Sequence, residues 1–407
     1  HSQRVPKIYD ERSKYFGERD CEMLEFYLSI KRNGIIMRVL ITGGGTGGHI
    51  NPALAIAQKV KNENSSDAVL YVGSRNSLES ELIPKEGFEF KAVTAKYFKR
   101  KITLDNIMTL FASAKGVMES FKIIDEFKPS IVVGTGGYVS GPVVLAAHLK
   151  KVPTMILEQN VFPGVTNRLL SRIADVVGIS FEEAKKYFPQ NAQEKLIMVG
   201  NPVRKDIIET DRRSSRSKYN LKPEDVFIYS FGGSGGQISL NEAIIDVIKN
   251  YNGNKNVKIL HVTGKKHYDV FMEELNRNIK LEKNVEIKDY MYEAPIALSA
   301  SDIVIGSAGA ITIAEITAIG VPSILIPKTY TAGNHQEYNA RALEKEGAAL
   351  VILEKDLNGT TLLKSIEEVI ENKGKLKTMS LNSKRLGNSD VENKIYAAMT
   401  ALINAQK

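Results

Sequence analysis

His49 closes a run in which every residue from Thr42 to Gly48 is glycine or threonine. Glycine lets a backbone turn sharply and approach a ligand closely, and a helix starting beyond the turn offers N–H groups to an anion. An imidazole at that point is a candidate general base. The loop satisfies Gly-x-Gly-x-x-Gly through Gly43, Gly45 and Gly48, which alone reads as a dinucleotide site. A nicotinamide site also places an acid at the end of the next strand. Here residues 69–72 run into Gly73, Ser74 and Arg75. No Walker lysine follows either glycine turn, which disfavours a P-loop nucleotidase. A tight structural turn is the plain alternative.

Further clusters have the same character. Residues 134–142 hold four glycines in nine positions, which predicts an open surface segment after a strand. Gln159 and Asn160 end another strand, where open α/β sheets meet their ligands, and their amides suit sugar hydroxyls. Glu315 is the lone charge in residues 307–320. Such a carboxylate needs a partner; a ribose diol or a backbone group would serve. Asn334, His335 and Gln336 suit recognition of hydroxyls. Basic and aromatic residues interleave over 96–102, as an anionic lipid surface would require or as a solvated loop would show. The sequence contains no Asp-x-Asp, so the usual carboxylate pair for a metal–nucleotide complex is missing.

Elements must carry these groups. Short β-rich runs alternate with helical patterns from Met37 onward, which predicts a largely parallel α/β sheet. Strands are expected at 38–42, 68–72, 131–134, 154–158 and 176–179. Helices are expected at 51–62, with Pro52 in its first turn, and at 105–127 as one or two pieces. A boundary falls at residues 200–204 and the pattern restarts. Strands follow at 226–231, 258–263, 285–287, 303–305 and 323–326, with helices at 239–250 and 391–405. Gly320 reads as a helix C-cap. Two strand–glycine-turn–helix units thus predict two Rossmann-like domains in tandem, with ligands in the cleft between them.

The 407 residues are 43% hydrophobic and 25% charged, with a net charge of +8. That charge favours anionic partners, while the absence of a recognised motif argues against nucleic acid. The single cysteine, Cys21, excludes an intramolecular disulfide and points to a reducing compartment. No apolar run approaches the roughly 20 residues a membrane span needs. Residues 1–36 lack clear periodicity and are expected to be an N-terminal extension, native or non-native, with a helix as the competing reading.

Taken together, the motifs resemble the glycosyltransferase family 28 enzymes of the MurG type. The resemblance runs from Met37 to the final helix. It rests on Gly-Gly-Thr-Gly-Gly-His49, Gly-Gly-Tyr-Val-Ser-Gly-Pro142, Glu-Gln-Asn160, Gly-Asn-Pro-Val-Arg204 and Ser-Ala-Gly-Ala-Ile-Thr-Ile-Ala-Glu315, in that order. It implies a GT-B architecture, two Rossmann-like α/β domains facing a cleft. Residues 37–201 would form an acceptor and membrane domain and 202–386 a UDP-GlcNAc-binding domain. Residues 387–407 would be a helix returning to the first domain.

The implied activity is inverting transfer of GlcNAc from UDP-GlcNAc to the MurNAc C4 hydroxyl of lipid I (undecaprenyl-pyrophosphoryl-MurNAc-pentapeptide). Lipid II would form at the cytoplasmic face of the bacterial plasma membrane, with no cofactor or metal required and no nucleic-acid partner. His49 would be the base. Carried over by motif, Thr46, Gly47 and Gly48 lie against the sugar–diphosphate end, and Asn160 contacts GlcNAc. Arg204 and Ser234 take the diphosphate, and Met291 takes the uracil through its backbone. Ala310, Ile311 and Thr312 offer helix-start N–H groups, with Ile313 and Ala314 in the same segment. Glu315 holds the ribose and Gln336 the sugar hydroxyls. Tyr138, Ser140 and Gln159 fall on the acceptor side.

Two positions depart from the family pattern. The glutamine usual within the second glycine turn is displaced to Gln237, which puts its role in doubt. An arginine sometimes found before the Gly-Ala of the ribose motif is Ala308, one positive charge fewer near the diphosphate. A UDP-GlcNAc 2-epimerase-like isomerase, a transferase with a diacylglycerol acceptor and a non-catalytic sugar-nucleotide binder are the other readings.

Overall fold

The structure is a computed structural model, and it describes residues 36–96, 104–233, 235–388 and 390–405. The expected basic–aromatic run therefore lies outside the described residues from 97 onward, as do Ser234 and nearly all of the N-terminal extension. The chain forms two compact units. One takes residues up to 159, 163–200 and 390 onward; the other takes 160–162 and 201–389.

The first unit begins with β1 (Arg38–Thr42), α1 (Gly47–Glu63), β2 (Ala68–Ser74), α2 (Leu78–Lys85), β3 (Glu89–Val93) and α3 (Leu104–Phe127). It continues with β4 (Ile131–Gly134), α4 (Ser140–Leu149), β5 (Thr154–Glu158), α5 (Val165–Leu170), β6 (Val176–Ile179) and β7 (Leu196–Met198). All seven strands run parallel in the order β3-β2-β1-β4-β5-β6-β7.

A parallel sheet buries both faces, so its central strands run largely apolar on both sides. In β4, Ile131 and Val133 enter one core with Ile41 and Ile50, while Val132 enters the opposite core with Leu40 and Ile156. Helix α1 starts at Gly47, four residues before the expected start, so Pro52 lies in its second turn. There the proline withholds one N–H from the helix ladder.

In the second unit, α6 (Lys205–Glu209) and α7 (Arg212–Lys218) lead into β8 (Val226–Phe231), α8 (Ile238–Tyr251), β9 (Val257–Val262), α9 (Tyr268–Asn278) and β10 (Val285–Lys288). Then come α10 (Ala294–Ala300), β11 (Ile303–Gly306), α11 (Ala310–Ile319), β12 (Ser323–Leu325), α12 (His335–Lys345) and β13 (Ala349–Val351). Helices α13 (Gly359–Ile370) and α14 (Lys373–Leu386) follow, and α15 (Val391–Asn404) packs on α1 in the first unit. The six strands are again parallel, ordered β10-β9-β8-β11-β12-β13. Gly320 ends α11 in the left-handed region at φ +84°, as a glycine C-cap does.

Both strand orders reverse at one place, between β1 and β4 in the first unit and between β8 and β11 in the second. Loops leaving adjacent strands in opposite directions open a crevice there. Residues 43–46 and 135–139 leave the first such point, and residues 232–237 and 307–309 leave the second.

Candidate functional site

At the first switch point the two loops are hydrogen-bonded to each other. The Gly44 N–H donates to the Gly136 carbonyl at 3.2 Å, and the Thr135 N–H to the Thr42 carbonyl at 2.8 Å. The Gly45 N–H is also consumed, by a carboxylate oxygen of Glu79 at 3.2 Å. The glycine turn therefore spends its first N–H groups on the protein itself. Those of Thr46, Gly47 and Gly48 have no partner among the described residues, and they open α1. Of the loop, these three positions are the ones able to receive an anion.

His49 sits in the first turn of that helix. Its Nδ1 lies 3.1 Å from the Thr135 carbonyl and 3.3 Å from Oε1 of Gln159. Both partners are acceptors, so Nδ1 carries the ring proton of the neutral imidazole and Nε2 carries the lone pair. Nε2 is thus the nitrogen able to take a proton. The Thr135 hydroxyl donates to the His49 carbonyl at 2.8 Å, which fixes the backbone as well. Gly136 is required at this contact: its φ is +107°, and a Cβ there would lie 2.6 Å from the imidazole.

The structure corrects three expectations around this loop. Residues 134–142 are mostly buried rather than open surface, because the segment is wedged between the glycine turn and α4. Ser140 is fully buried and its hydroxyl donates to the Gly136 carbonyl at 2.8 Å, so it does not reach an acceptor. Gln159 is 2% exposed and its Nε2 donates to the carbonyls of Thr135 and Leu157 at 3.0 and 3.3 Å. Those bonds aim Oε1 at His49, which makes Gln159 an orienting group rather than a sugar contact. Tyr138 is half-buried, its hydroxyl 3.1 Å from that of Ser74 and its ring against Gly45.

Glu79 is a functional candidate that the sequence analysis passed over. It is fully buried in the first turn of α2 and accepts from the N–H and hydroxyl of Ser74 at 3.1 and 2.6 Å. Burial pushes its carboxyl up, but the hydrogen bonds from Ser74 and Gly45 outweigh burial and hold it below its ordinary value. The signal available was an acid two residues beyond Ser77, which caps α2.

In the second unit, α11 starts at the C-terminal edge of β11. The Ile313 N–H already donates to the Gly309 carbonyl at 2.9 Å, whereas those of Ala310, Ile311 and Thr312 precede the helix ladder. Ile313 is 2% exposed, its side chain among the core residues of the second unit. Ala314 is half-buried.

Glu315, on the same helix, is half-buried and has no hydrogen bond among the described residues. Burial pushes its carboxyl up to about 7, with Arg204 pulling it down and Asp206 pushing it up. The alternative of a carboxylate satisfied by backbone is not what the structure holds. The exposed Arg204 guanidinium donates to Asp206, from Nε at 3.0 Å and from a terminal nitrogen as well.

Gln336 is buried, and its Oε1 accepts from the N–H groups of Ala308 and Lys328 at 3.2 and 3.1 Å. That orientation leaves its Nε2 as a donor without a partner among the described residues. Asn160 groups with this unit: its Oδ1 accepts from Asn339 at 3.1 Å, the Val161 N–H donates to Asn339 at 2.9 Å, and Phe162 stacks on Tyr338 at 5.1 Å. Met291 is buried between exposed Tyr290 and Tyr292. Gln237 is turned inward, with its Nε2 donating to Glu354 at 2.9 Å and to the Ile326 carbonyl at 3.3 Å. Ser234 lies outside the described residues. Among the described residues no group of three His, Cys, Asp or Glu side chains is placed to hold a metal ion, and no helix is long and apolar enough to cross a membrane.

Residues 39–179 match the model of the glycosyltransferase family 28 N-terminal domain, and residues 227–395 match that of the family 28 C-terminal domain. A relative from Clostridioides difficile is 45% identical over 370 residues, covering 91% of this chain and 90% of its own. It is named UDP-N-acetylglucosamine–N-acetylmuramyl-(pentapeptide) pyrophosphoryl-undecaprenol N-acetylglucosamine transferase. Among solved structures, the Acinetobacter baumannii MurG crystal structure is similar with a TM-score of 0.72 at 24% identity, covering 91% of this chain and 99% of that one. The UDP-GlcNAc 2-epimerase of Neisseria meningitidis, bound to UDP-GlcNAc, is similar with a TM-score of 0.62 at 15% identity, covering 88% and 98%. At such identities these two structures speak for the fold alone.

Proposed function

The chain belongs to glycosyltransferase family 28, and from that premise we propose that it transfers GlcNAc from UDP-GlcNAc to the MurNAc C4 hydroxyl of lipid I, giving lipid II. The observation that carries the chemistry is the anchoring of His49 through Nδ1 to Thr135 and Gln159. A general base must hold one tautomer and one orientation, and this ring does both.

The C4 oxygen attacks the anomeric carbon of GlcNAc as its proton passes to Nε2 of His49. The new C1–O4 bond forms on the face opposite the breaking bond to the β-phosphate, so the configuration inverts and UDP departs with the electron pair. Charge develops on the leaving diphosphate. The N–H groups opening α11 at Ala310, Ile311 and Thr312 are oriented to meet it, and preorganised donors of this kind lower barriers most. The N–H groups of Thr46, Gly47 and Gly48 offer the same chemistry on the first unit.

Glu315 accepts from the ribose hydroxyls, Gln336 and Asn160 contact the sugar, and the backbone around Met291 meets the uracil. Tyr138 remains as an acceptor-side residue, whereas Ser140 and Gln159 act within the scaffold. The lipid acceptor brings the enzyme to the cytoplasmic face of the membrane, where a net charge of +8 suits anionic headgroups.

Labelled UDP-GlcNAc incubated alone, with a lipid I analogue and with diacylglycerol tests the reading. UDP release that requires the lipid I analogue is expected. Formation of UDP-ManNAc without acceptor would establish the epimerase chemistry instead, and release driven by diacylglycerol would move the acceptor class.

A further inference from the structure

We propose that Lys328 is a donor-binding residue of the second unit, its ammonium taking the diphosphate of the sugar nucleotide; this rests on the transferase reading above. The residue follows β12 and reaches the second switch point. Its backbone is pinned there by Gln336, whose Oε1 accepts from both the Lys328 and the Ala308 N–H groups. One side chain thus locks residue 328 to the turn that opens α11.

The ammonium lies over the second glycine turn. Nζ donates to the Gly236 carbonyl at 2.8 Å. A Cβ built on Gly233 would meet Ser307 Oγ at 3.3 Å and Lys328 Nζ at 3.8 Å. The amine therefore stands beside the loop that ends in Gly309, at the one place in this sheet where strand order reverses.

An ammonium has three donors, and among the described residues the protein uses one. No carboxylate lies within ion-pair distance of Nζ among those residues. Glu354 acts on it at longer range and is itself saturated by Ser239, Gln237 and Thr329. The half-buried amine has its pKa drawn down by burial, against the weaker pull of Glu354. The Tyr330 ring flanks the ammonium at 5.7 Å, but it accepts none of the two remaining N–H donors, and a half-buried cation with unused donors is stabilised by a bound anion. Arg204, the other cation assigned to the diphosphate, is already engaged by Asp206. Ala308 brings no charge. Lys328 is the cation whose donors face the glycine turn.

Binding of UDP and of uridine to the wild-type chain and to Lys328→Met tests the assignment. The expected result is UDP affinity weakened about ten- to a hundredfold, the worth of a charge-assisted hydrogen bond, with uridine affinity unchanged and most of the loss restored by Lys328→Arg. Equal weakening of UDP and uridine, or no change in either, would overturn it and leave Lys328 a brace for Gly236. A second measurement needs no variant: UDP, but not uridine, should protect Lys328 from amine acylation as read by mass spectrometry, and equal labelling would overturn the proposal. A wild-type chain that binds neither UDP nor UDP-GlcNAc overturns the transferase reading and this assignment together. UDP affinity that is unchanged in Lys328→Met overturns the assignment alone.

Discussion

The carbonyl of Thr135 lies 3.1 Å from Nδ1 of His49, so the loop after β4 dictates which nitrogen of the residue after β1 is basic. The two loops are brought together by the strand order, in which β1 and β4 are parallel neighbours paired from Val39 with Ile131 to Thr42 with Gly134. A backbone carbonyl cannot be removed by substitution, which makes the tautomer a property of the fold.

Replacing the imidazole therefore removes the base without disturbing its support. His49→Ala is expected to lower kcat by about a hundred- to ten-thousandfold, the usual weight of general base catalysis, with little change in KM for UDP-GlcNAc. Steady-state kinetics with a lipid I analogue measures both constants. Near wild-type turnover by a folded His49→Ala chain would take the role from this residue.

Glu315 gives a pH dependence with a definite sign. Its carboxyl is pushed up to about 7 from an ordinary 4.5, so the fold favours the protonated form. Its stabilising contribution is complete below pH 4.5 and is lost as the pH rises through 7. Ribose hydroxyls donating to the carboxylate favour the ionised form, so uridine should bind more tightly as the pH rises. Between pH 6 and 8 the gain is about tenfold, the change in ionised fraction. Uridine is the ligand of choice because a phosphate titrates near pH 6 itself. Isothermal titration of the wild type against Glu315→Gln checks this; a slope that persists in the variant would assign the titration to another group.

Removing Glu79 should reach the glycine turn. Glu79→Ala leaves the N–H groups of Ser74 and Gly45 without their acceptor, and buried unsatisfied donors cost about 1–3 kcal/mol each. A loss of about 2–4 kcal/mol in urea unfolding is expected, with turnover reduced further as the loop before His49 loosens. The carboxyl is held below its ordinary 4.5, so its contribution is present above that pH and fades as acid protonates it. An unfolding midpoint equal to wild type at pH 7 would show that the carboxylate supports nothing.

The central strands were readable because both their faces are buried. Residues 131–134 and 155–157 are continuous apolar runs, and the expected bounds at 131–134 and 154–158 hold to the residue. The strands passed over, β3, β7 and β13, all lie at a sheet end: β3 alternates polar and apolar residues with mixed exposure, and β7 and β13 are only three residues long. At the site, residue type announced His49 and Glu315, and glycine spacing announced the turns. Direction was not legible. Ser140 and Gln159 carry the groups a ligand would want, yet both point inward: Ser140 satisfies the Gly136 carbonyl one turn back in its own segment, and Gln159 the Thr135 carbonyl of the loop after β4. Glu79 and Lys328 were hidden for the converse reason: isolated charges in ordinary contexts acquire meaning from backbone groups distant in sequence.

The final helix is the cheapest place to separate the stability of the first unit from the chemistry of the second. Ile395, Met399 and Ile403 of α15 enter the same core as Ile50 and Val60 of α1, and Met399 is fully buried. Met399→Ala should cost about 2–5 kcal/mol, the transfer term plus the cavity left behind. Asn393→Ala, on the exposed side of the helix, should stay within about 0.5 kcal/mol. Uridine binding should be unchanged in both, since Glu315, Gln336 and Met291 belong to the other unit. Urea unfolding followed beside uridine titration reads the two effects independently. A Met399→Ala chain that loses uridine binding under native conditions would mean that the core beneath α15 supports the second unit as well.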